Sequence, residues 1–130
     1  MRALRWPRVW LGLWLLAIAV VAVLSLLPAP HMPLETPQNF DKLLHFLAYF
    51  GLAFSAVQLF SSRRALVFVS LGLIALGVLL EWAQGAWLPH LRYADGWDAV
   101  ANTLGVGAGV LLATTPLARC LLRLEQLLGA

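Results

Sequence analysis

Residues 81–109 read EWAQGAWLPHLRYADGWDAVANTLGVGAG, and this stretch decides the fold of the chain. It holds three of the six acidic residues, Glu81, Asp95 and Asp98, and long uncharged apolar runs lie on both sides of this polar part. Charged side chains set between apolar runs of near-membrane length are costly unless they face a protein interior or water. These residues are therefore candidates for function, and the rest of the chain is examined for polar residues that could join them.

The composition is typical of a membrane protein. Of the 130 residues, 62% are hydrophobic and 12% are charged, and the mean hydropathy is +0.84, whereas soluble domains are about half apolar and about a quarter charged. We predict an all-α integral membrane protein with one domain over residues 1–130. The net charge of +3 does not indicate nucleic-acid binding, because the basic residues lie at the ends of apolar blocks.

Four apolar blocks are long enough to cross a bilayer, for which a helix needs about 20 residues. The basic start and the first block could form a signal peptide, but no clean cleavage site follows and more spans come after, so we predict a retained helix. The prediction is a four-transmembrane-helix bundle followed by a short amphipathic C-terminal helix, with spans at about 9–27, 42–60, 65–87 and 97–115.

The basic residues predict the orientation of this bundle. Seven of the nine Lys and Arg lie before the first span, in the turn between the second and third spans, or in the tail. The positive-inside rule then places both termini in the cytoplasm. The polar residues at the ends of the other spans should meet in one outward-facing layer that contains Asp41, Lys42, His45, Glu81, Gln84, Arg92, Asp95, Asp98 and Asn102.

The spacing within two spans supports this convergence. Asp41, His45 and Tyr49 recur every four residues and so share one helical face. On the fourth span one face carries Asp98, Asn102, Gly105 and Gly109, polar at its start and glycine further on. The last two form a GxxxG step, which lets helix backbones approach closely. We expect this approach to bring the polar start of the face toward His45 and Glu81.

Candidate catalytic residues are His45, Glu81 and Asp98, because ionisable groups in a membrane helix suit acid/base chemistry. Each has a purely structural alternative: a polar clamp of His45 with Tyr49, an ion pair of Glu81 with Arg92 or Lys42, and an N-cap by Asp98. The remaining polar residues are candidate ligand-binding residues, with Arg92 suited to an anionic group: Asp41, Lys42, Tyr49, Gln84, Arg92, Asp95 and Asn102.

A metal site is weighed but not assigned. Glu81, Asp95 and Asp98, joined by His45, offer oxygen and nitrogen ligands for a divalent cation. No short metal-binding motif is present in the sequence, so no residue is predicted as a metal ligand and no cofactor is named.

Two blocks of residues resemble the VanZ-like family of small bacterial membrane proteins, over about residues 27–112. The first block is Asp41-Lys42, His45-Phe46 and Tyr49, and the second is Glu81-x-x-Gln84, Pro89 and Arg92-x-x-Asp95-x-x-Asp98-x-x-x-Asn102-x-x-Gly105, with His90-Leu91 as a departure before Arg92. The resemblance implies a bacterial inner membrane and a role in the cell envelope. The founding member is associated with low-level resistance to teicoplanin, and the family implies no reaction.

Three functions fit these observations. The first is an outward-facing pocket that binds or acts on an envelope lipid or peptidoglycan precursor, with a glycopeptide-resistance-like role among its consequences. The second is a non-catalytic assembly partner of an envelope enzyme. The third is a small proton-coupled transporter or flippase, for which a chain this short would form an oligomer. Whether the chain is an enzyme stays open at this point.

Overall fold

The computed structural model describes residues 1–27, 40–87 and 95–129. Five α-helices occur in these ranges, and none of the described residues is in a strand. The helices are α1 (Pro7–Leu26), α2 (Phe40–Leu59), α3 (Arg63–Trp87), α4 (Gly96–Leu111) and α5 (Cys120–Leu128). The all-α prediction is confirmed. The first three helices begin two residues before the predicted spans, because the polar residues at their starts are helical too.

Three of the helices, α1, α2 and α3, are long and apolar enough to cross a membrane. The fourth predicted span is less regular than expected. Its α-helix has 16 residues and ends at Leu111, and a 3-10 turn, Leu112–Thr114, follows it. A second 3-10 turn, Pro116–Arg119, has proline in its first turn, where the missing backbone N–H costs nothing, and leads into α5. The chain bends by 81° at this break.

The centre of the fold is α2, and α4 packs on it most closely. A Cβ atom at Gly105 would lie 2.3 Å from the backbone oxygen of Phe46, and one at Gly109 would lie 2.7 Å from that of Phe50. Only glycine permits this approach, so the predicted role of the GxxxG step is confirmed. Tyr49, Leu52, Ala53, Leu73 and Val106 form the main core, contributed by α2, α3 and α4.

The first helix lies on the outside of this core, and none of its residues is buried. Ile18 and Val21 pack against the main core. The indole N–H of Trp14 donates to the backbone oxygen of Leu52 at 2.9 Å, and its ring meets Phe60 edge to face. These contacts hold α1 beside α2 while most of its apolar surface stays exposed.

At the end of the bundle where α1 and α3 begin, a group of contacts that we call the tail clamp joins the chain's two ends. Glu125 of α5 accepts hydrogen bonds from the backbone N–H of Arg5 at 2.6 Å and from the indole N–H of Trp10 at 2.6 Å. On α2, the Gln58 side chain donates to the Leu117 oxygen and accepts from the Leu121 N–H. The sequence analysis assigned no role to Gln58 or Glu125.

Candidate functional site

At the opposite end of the bundle, polar side chains from α2 and from the start of α4 meet in one group. We call this group the polar cluster. Its members are Asp41, Lys42 and His45 from α2 and Asp95, Asp98 and Asn102 from the start of α4. The predicted convergence of residues that are far apart in sequence is therefore confirmed for these six.

The edge of the polar cluster is an ion pair between the two helices. The Lys42 ammonium lies 2.6 Å from the Asp95 carboxylate and 3.5 Å from Oδ1 of Asp98. Asp95 also caps α4, because its side chain accepts a hydrogen bond from the backbone N–H of Trp97. The hydrogen bond from Lys42, followed by that from Trp97, holds the pKa of Asp95 below its usual value. The N-cap is therefore Asp95, and the alternative of Asp98 as the cap is wrong.

Deeper in the polar cluster, His45 contacts two residues of α4. Its Nδ1 lies 3.0 Å from the side-chain oxygen of Asn102, and its Nε2 lies 3.7 Å from Oδ2 of Asp98. Asp98 and Asn102 are 5% and 2% exposed, so this contact is inside the protein. Buried polar groups need partners of this kind, and the contact fixes the rotation of α4 relative to α2.

Next to the polar cluster lie Tyr49 and Glu81, both of them buried. Among the described residues, no group forms a hydrogen bond with the Tyr49 hydroxyl. A side chain at Gly77 would crowd both Tyr49 and Asn102, so this glycine makes room for them on α3. One carboxylate oxygen of Glu81 accepts the backbone N–H of Asp95 at 3.3 Å, which ties α3 to the start of α4.

One predicted site residue that the structure describes lies apart from this group. Gln84 is buried, but its side-chain amide donates to the backbone oxygen of Ser25 at 2.5 Å and so holds the end of α1. Arg92 lies outside the described residues, as do Pro89 and the rest of residues 88–94. Its predicted contact with an anionic group and its predicted pairing with Glu81 stay predictions.

A cavity of about 270 Å³ lies between α1 and α2 beside the polar cluster. Its polar lining includes Asp41, His45 and Ser25, and the rest is mostly apolar. The shared face of Asp41, His45 and Tyr49 predicted from their spacing is thus confirmed, because all three line it. The full lining is Val21, Leu24, Ser25, Asp41, Leu44, His45, Ala48 and Tyr49.

The potential metal ligands that lie together in the polar cluster differ from those considered from the sequence. Asp41, His45 and Asp98 each offer one ligand atom, and these atoms lie within 4.8 Å of one another. The sequence set contained Glu81 and Asp95 in place of Asp41. Asp95 is instead paired with Lys42 and caps α4.

The tail clamp residues were missed, although one of them had a signal in the sequence. Gln58 is an amide in the apolar stretch of α2 and is 7% exposed. The reasoning that selected Asn102, that a buried amide in an apolar helix needs a partner, applies equally to Gln58. Glu125 has no comparable signal, because an acidic residue on an amphipathic tail is ordinarily solvated.

Comparisons with protein-family models, with curated proteins and with solved structures find no match to this chain.

Proposed function

We propose that the chain is an integral protein of the bacterial inner membrane, and that the cavity between α1 and α2 binds the head group of an envelope lipid or lipid-linked cell-wall precursor. The VanZ-like resemblance of the residues in the polar cluster directs the proposal to the envelope. Membrane insertion is supported by the three helices that are long and apolar enough to cross a bilayer.

The single observation that carries the proposal is the chemistry of the cavity wall. The Asp41 carboxylate beside His45 offers hydrogen-bond acceptors in the lining, and Val21, Leu24 and Leu44 offer apolar surface. An amphipathic molecule needs both polar and apolar lining of this kind. The volume of about 270 Å³ is just below that of pockets for drug-sized ligands, about 300–1,000 Å³. It suits one head group, with the chains lying along the exposed faces of α1 and α2.

The positions of the basic residues support the proposed orientation. The starts of α1 and α3 and the tail helix lie at the end opposite the polar cluster. Seven of the nine Lys and Arg belong to these segments. The positive-inside rule then directs that end to the cytoplasm and the polar cluster to the outer side of the membrane.

The residues divide into binding and supporting roles under this proposal. Asp41 and His45 line the cavity, and the Asp41 carboxylate would accept hydrogen bonds from hydroxyl or amine groups of the ligand. Asp98 and Asn102 hold His45 from the far side. Acid/base roles for His45, Glu81 and Asp98 stay predictions.

Lipid retention by the full chain in detergent, measured by native mass spectrometry, tests the proposal. The probes are phosphatidylethanolamine, phosphatidylglycerol and a polyprenyl phosphate. We expect at least one of them to bind the wild-type chain and Asp41→Asn or His45→Ala to weaken that binding roughly 10-fold or more, the value of one hydrogen bond to a charged group.

The matched control is Thr103→Ala, whose exposed hydroxyl bonds only within α4. This variant should retain lipid like the wild type. Equal retention by all four proteins, or no retention by any, would overturn the head-group proposal.

The second candidate function, a non-catalytic assembly partner, is favoured by α1, a helix of 20 residues with none buried. Lipid can cover such a surface as well as protein can. If no lipid is retained and the chain leaves its native membrane only in a larger complex of defined mass, the assembly function is the better proposal.

A further inference from the structure

We propose that Asp41, His45 and Asp98 form a binding site for a divalent transition-metal ion of the zinc or manganese class. One ligand atom of each residue lies within 4.8 Å of the others, and His45 Nε2 is 3.7 Å from Asp98 Oδ2. Ligand atoms held by one such ion at about 2.0–2.2 Å are roughly 2.9–3.5 Å apart. Side-chain movements of up to roughly 1–2 Å would bring the three ligand atoms to these separations.

The hydrogen bond on the far side of His45 supports this assignment. The side-chain oxygen of Asn102 can only accept, so the His45 Nδ1 that lies 3.0 Å from it carries the proton. In the neutral imidazole, Nε2 then presents its lone pair toward the carboxylates. Histidines that ligate metals almost always donate their other ring N–H to an oxygen acceptor in this way.

The burial of Asp98 and the hydrogen bonding of its carboxylate are an independent observation in support of the site. This carboxylate is 5% exposed, and its Oδ1 accepts no hydrogen bond among the described residues. The Lys42 ammonium approaches Oδ1 only to 3.5 Å, because Asp95 holds it at 2.6 Å. A buried carboxylate is costly unless its charge is compensated and its oxygens have partners. A cation bound by the Asp98 carboxylate together with His45 and Asp41 would compensate this charge.

The ligand types select the class of metal. Two carboxylate oxygens suit Mg²⁺, Ca²⁺ and Mn²⁺, whereas an imidazole nitrogen favours Zn²⁺ and other transition metals. Three protein ligands leave coordination positions open. The cavity between α1 and α2 reaches Asp41 and His45, so these positions would face it and could hold an oxygen atom of a bound head group.

A proton on Nε2 is the competing explanation, since a charged imidazole would also pair with Asp98. A proton and a metal ion cannot occupy Nε2 together, so metal binding separates the two. The full chain in detergent is stripped with a chelator and titrated calorimetrically with Zn²⁺, Mn²⁺, Mg²⁺ and Ca²⁺, one at a time. Bound metal per chain is then determined after gel filtration.

We expect one Zn²⁺ or Mn²⁺ per chain in the wild type and loss of binding in His45→Ala and Asp98→Asn. If the Asp98→Asn variant fails to fold, Asp41→Asn, at the half-buried start of α2, tests the site in its place. Asn102→Ala removes the positioning group and should weaken binding about 10- to 100-fold. Thr103→Ala, whose exposed hydroxyl bonds only within α4, is the control and should bind like the wild type.

Binding of none of the four ions, or equal binding in the wild type and the Asp41, His45 and Asp98 variants, overturns the site. Binding of only Mg²⁺ or Ca²⁺ overturns the assignment of His45 as a ligand. No lipid is added in these measurements, so the metal site and the proposed head-group binding succeed or fail separately.

Discussion

His45 and Glu125 are the residues at which the two ends of the bundle are organised, and both act through hydrogen bonds to another segment. His45 is held between Asn102 and Asp98. Glu125 accepts three hydrogen bonds, from the N–H groups of Arg5, Trp6 and Trp10. Each therefore fixes a distance between helices that apolar contacts alone would leave adjustable, because hydrogen bonds are directional.

The tail clamp should weaken in acid. Burial raises the pKa of Glu125, but the hydrogen bonds from Arg5, Trp10 and Trp6 outweigh it and hold the pKa below its ordinary value of 4.5. The unfolded chain therefore takes up this proton before the folded one does. The stabilisation by Glu125 is complete above that ordinary value and is lost as the pH falls through the lowered value.

Thermal unfolding in detergent, followed from neutral pH to below pH 4, checks this prediction. The wild type should lose its stability advantage over Glu125→Gln in acid, so the difference in Tm between them narrows. Gln126→Ala, an exposed neighbour on α5, should follow the wild type throughout. A difference in Tm that does not change with pH would contradict the assigned role of Glu125.

At the residue scale, sequence reasoning selected His45, Asp98 and Asn102 correctly as members of one group. It could not say which carboxylates face the imidazole. That choice depends on the rotation and axial offset of α2, α3 and α4, and spacing within one helix leaves both undefined. The hydrogen bond from Gln84 to the backbone oxygen of Ser25 could not be predicted either, because every residue carries such an oxygen.

At the scale of elements, the α2–α4 pair is the main packing unit, and its glycines offer a direct test. Gly105→Ala should destabilise the protein by about 1–3 kcal/mol, because the new methyl group would meet the Phe46 backbone and push the helices apart. Gly107→Ala, two residues further along the same helix, has no atom within 4 Å of the added carbon. It should be neutral or stabilise by up to about 1 kcal/mol through helix propensity.

Tm measurements of the two variants in the same detergent compare these effects. If Gly105→Ala is as stable as Gly107→Ala, the close approach of α2 and α4 is not needed for stability. Loss of metal or lipid binding in Gly105→Ala alone would further show that the approach positions the polar cluster.

The elements themselves were predictable where the hydrophobic blocks are long. The first three helices follow the apolar blocks closely because burial in lipid or protein needs an unbroken helix there. The end of the fourth helix differs from the prediction, because α4 stops at Leu111 within an uncharged stretch. Its last predicted turn is 3-10 and leads to the 81° bend, a geometry that composition does not encode.

At the scale of the whole molecule, the proposed orientation makes the two ends of the bundle chemically distinct in intact cells. In a Cys120→Ser background, Gly96→Cys places a thiol at the exposed start of α4, and Ser62→Cys places one in the turn before α3. An impermeant thiol reagent should label the first in intact cells and the second only after the cells are permeabilised.

Labelling of the Ser62 position alone in intact cells would put the polar cluster on the cytoplasmic side. The envelope ligand would then be abandoned, although the metal site would be unaffected. Labelling of both positions after permeabilisation is the control that each thiol is reactive.

The tail clamp also sets an order of events during synthesis. The hydrogen bond between Arg5 and Glu125 spans 120 residues of chain, which a ribosome adds in roughly 6–24 s at about 5–20 residues per second. For that interval α1 is already made while the carboxylate that binds the Trp10 indole does not yet exist. Until then the N–H groups of Arg5, Trp6 and Trp10 lack the carboxylate that binds them in the folded chain, so the last helix completes the assembly of the first.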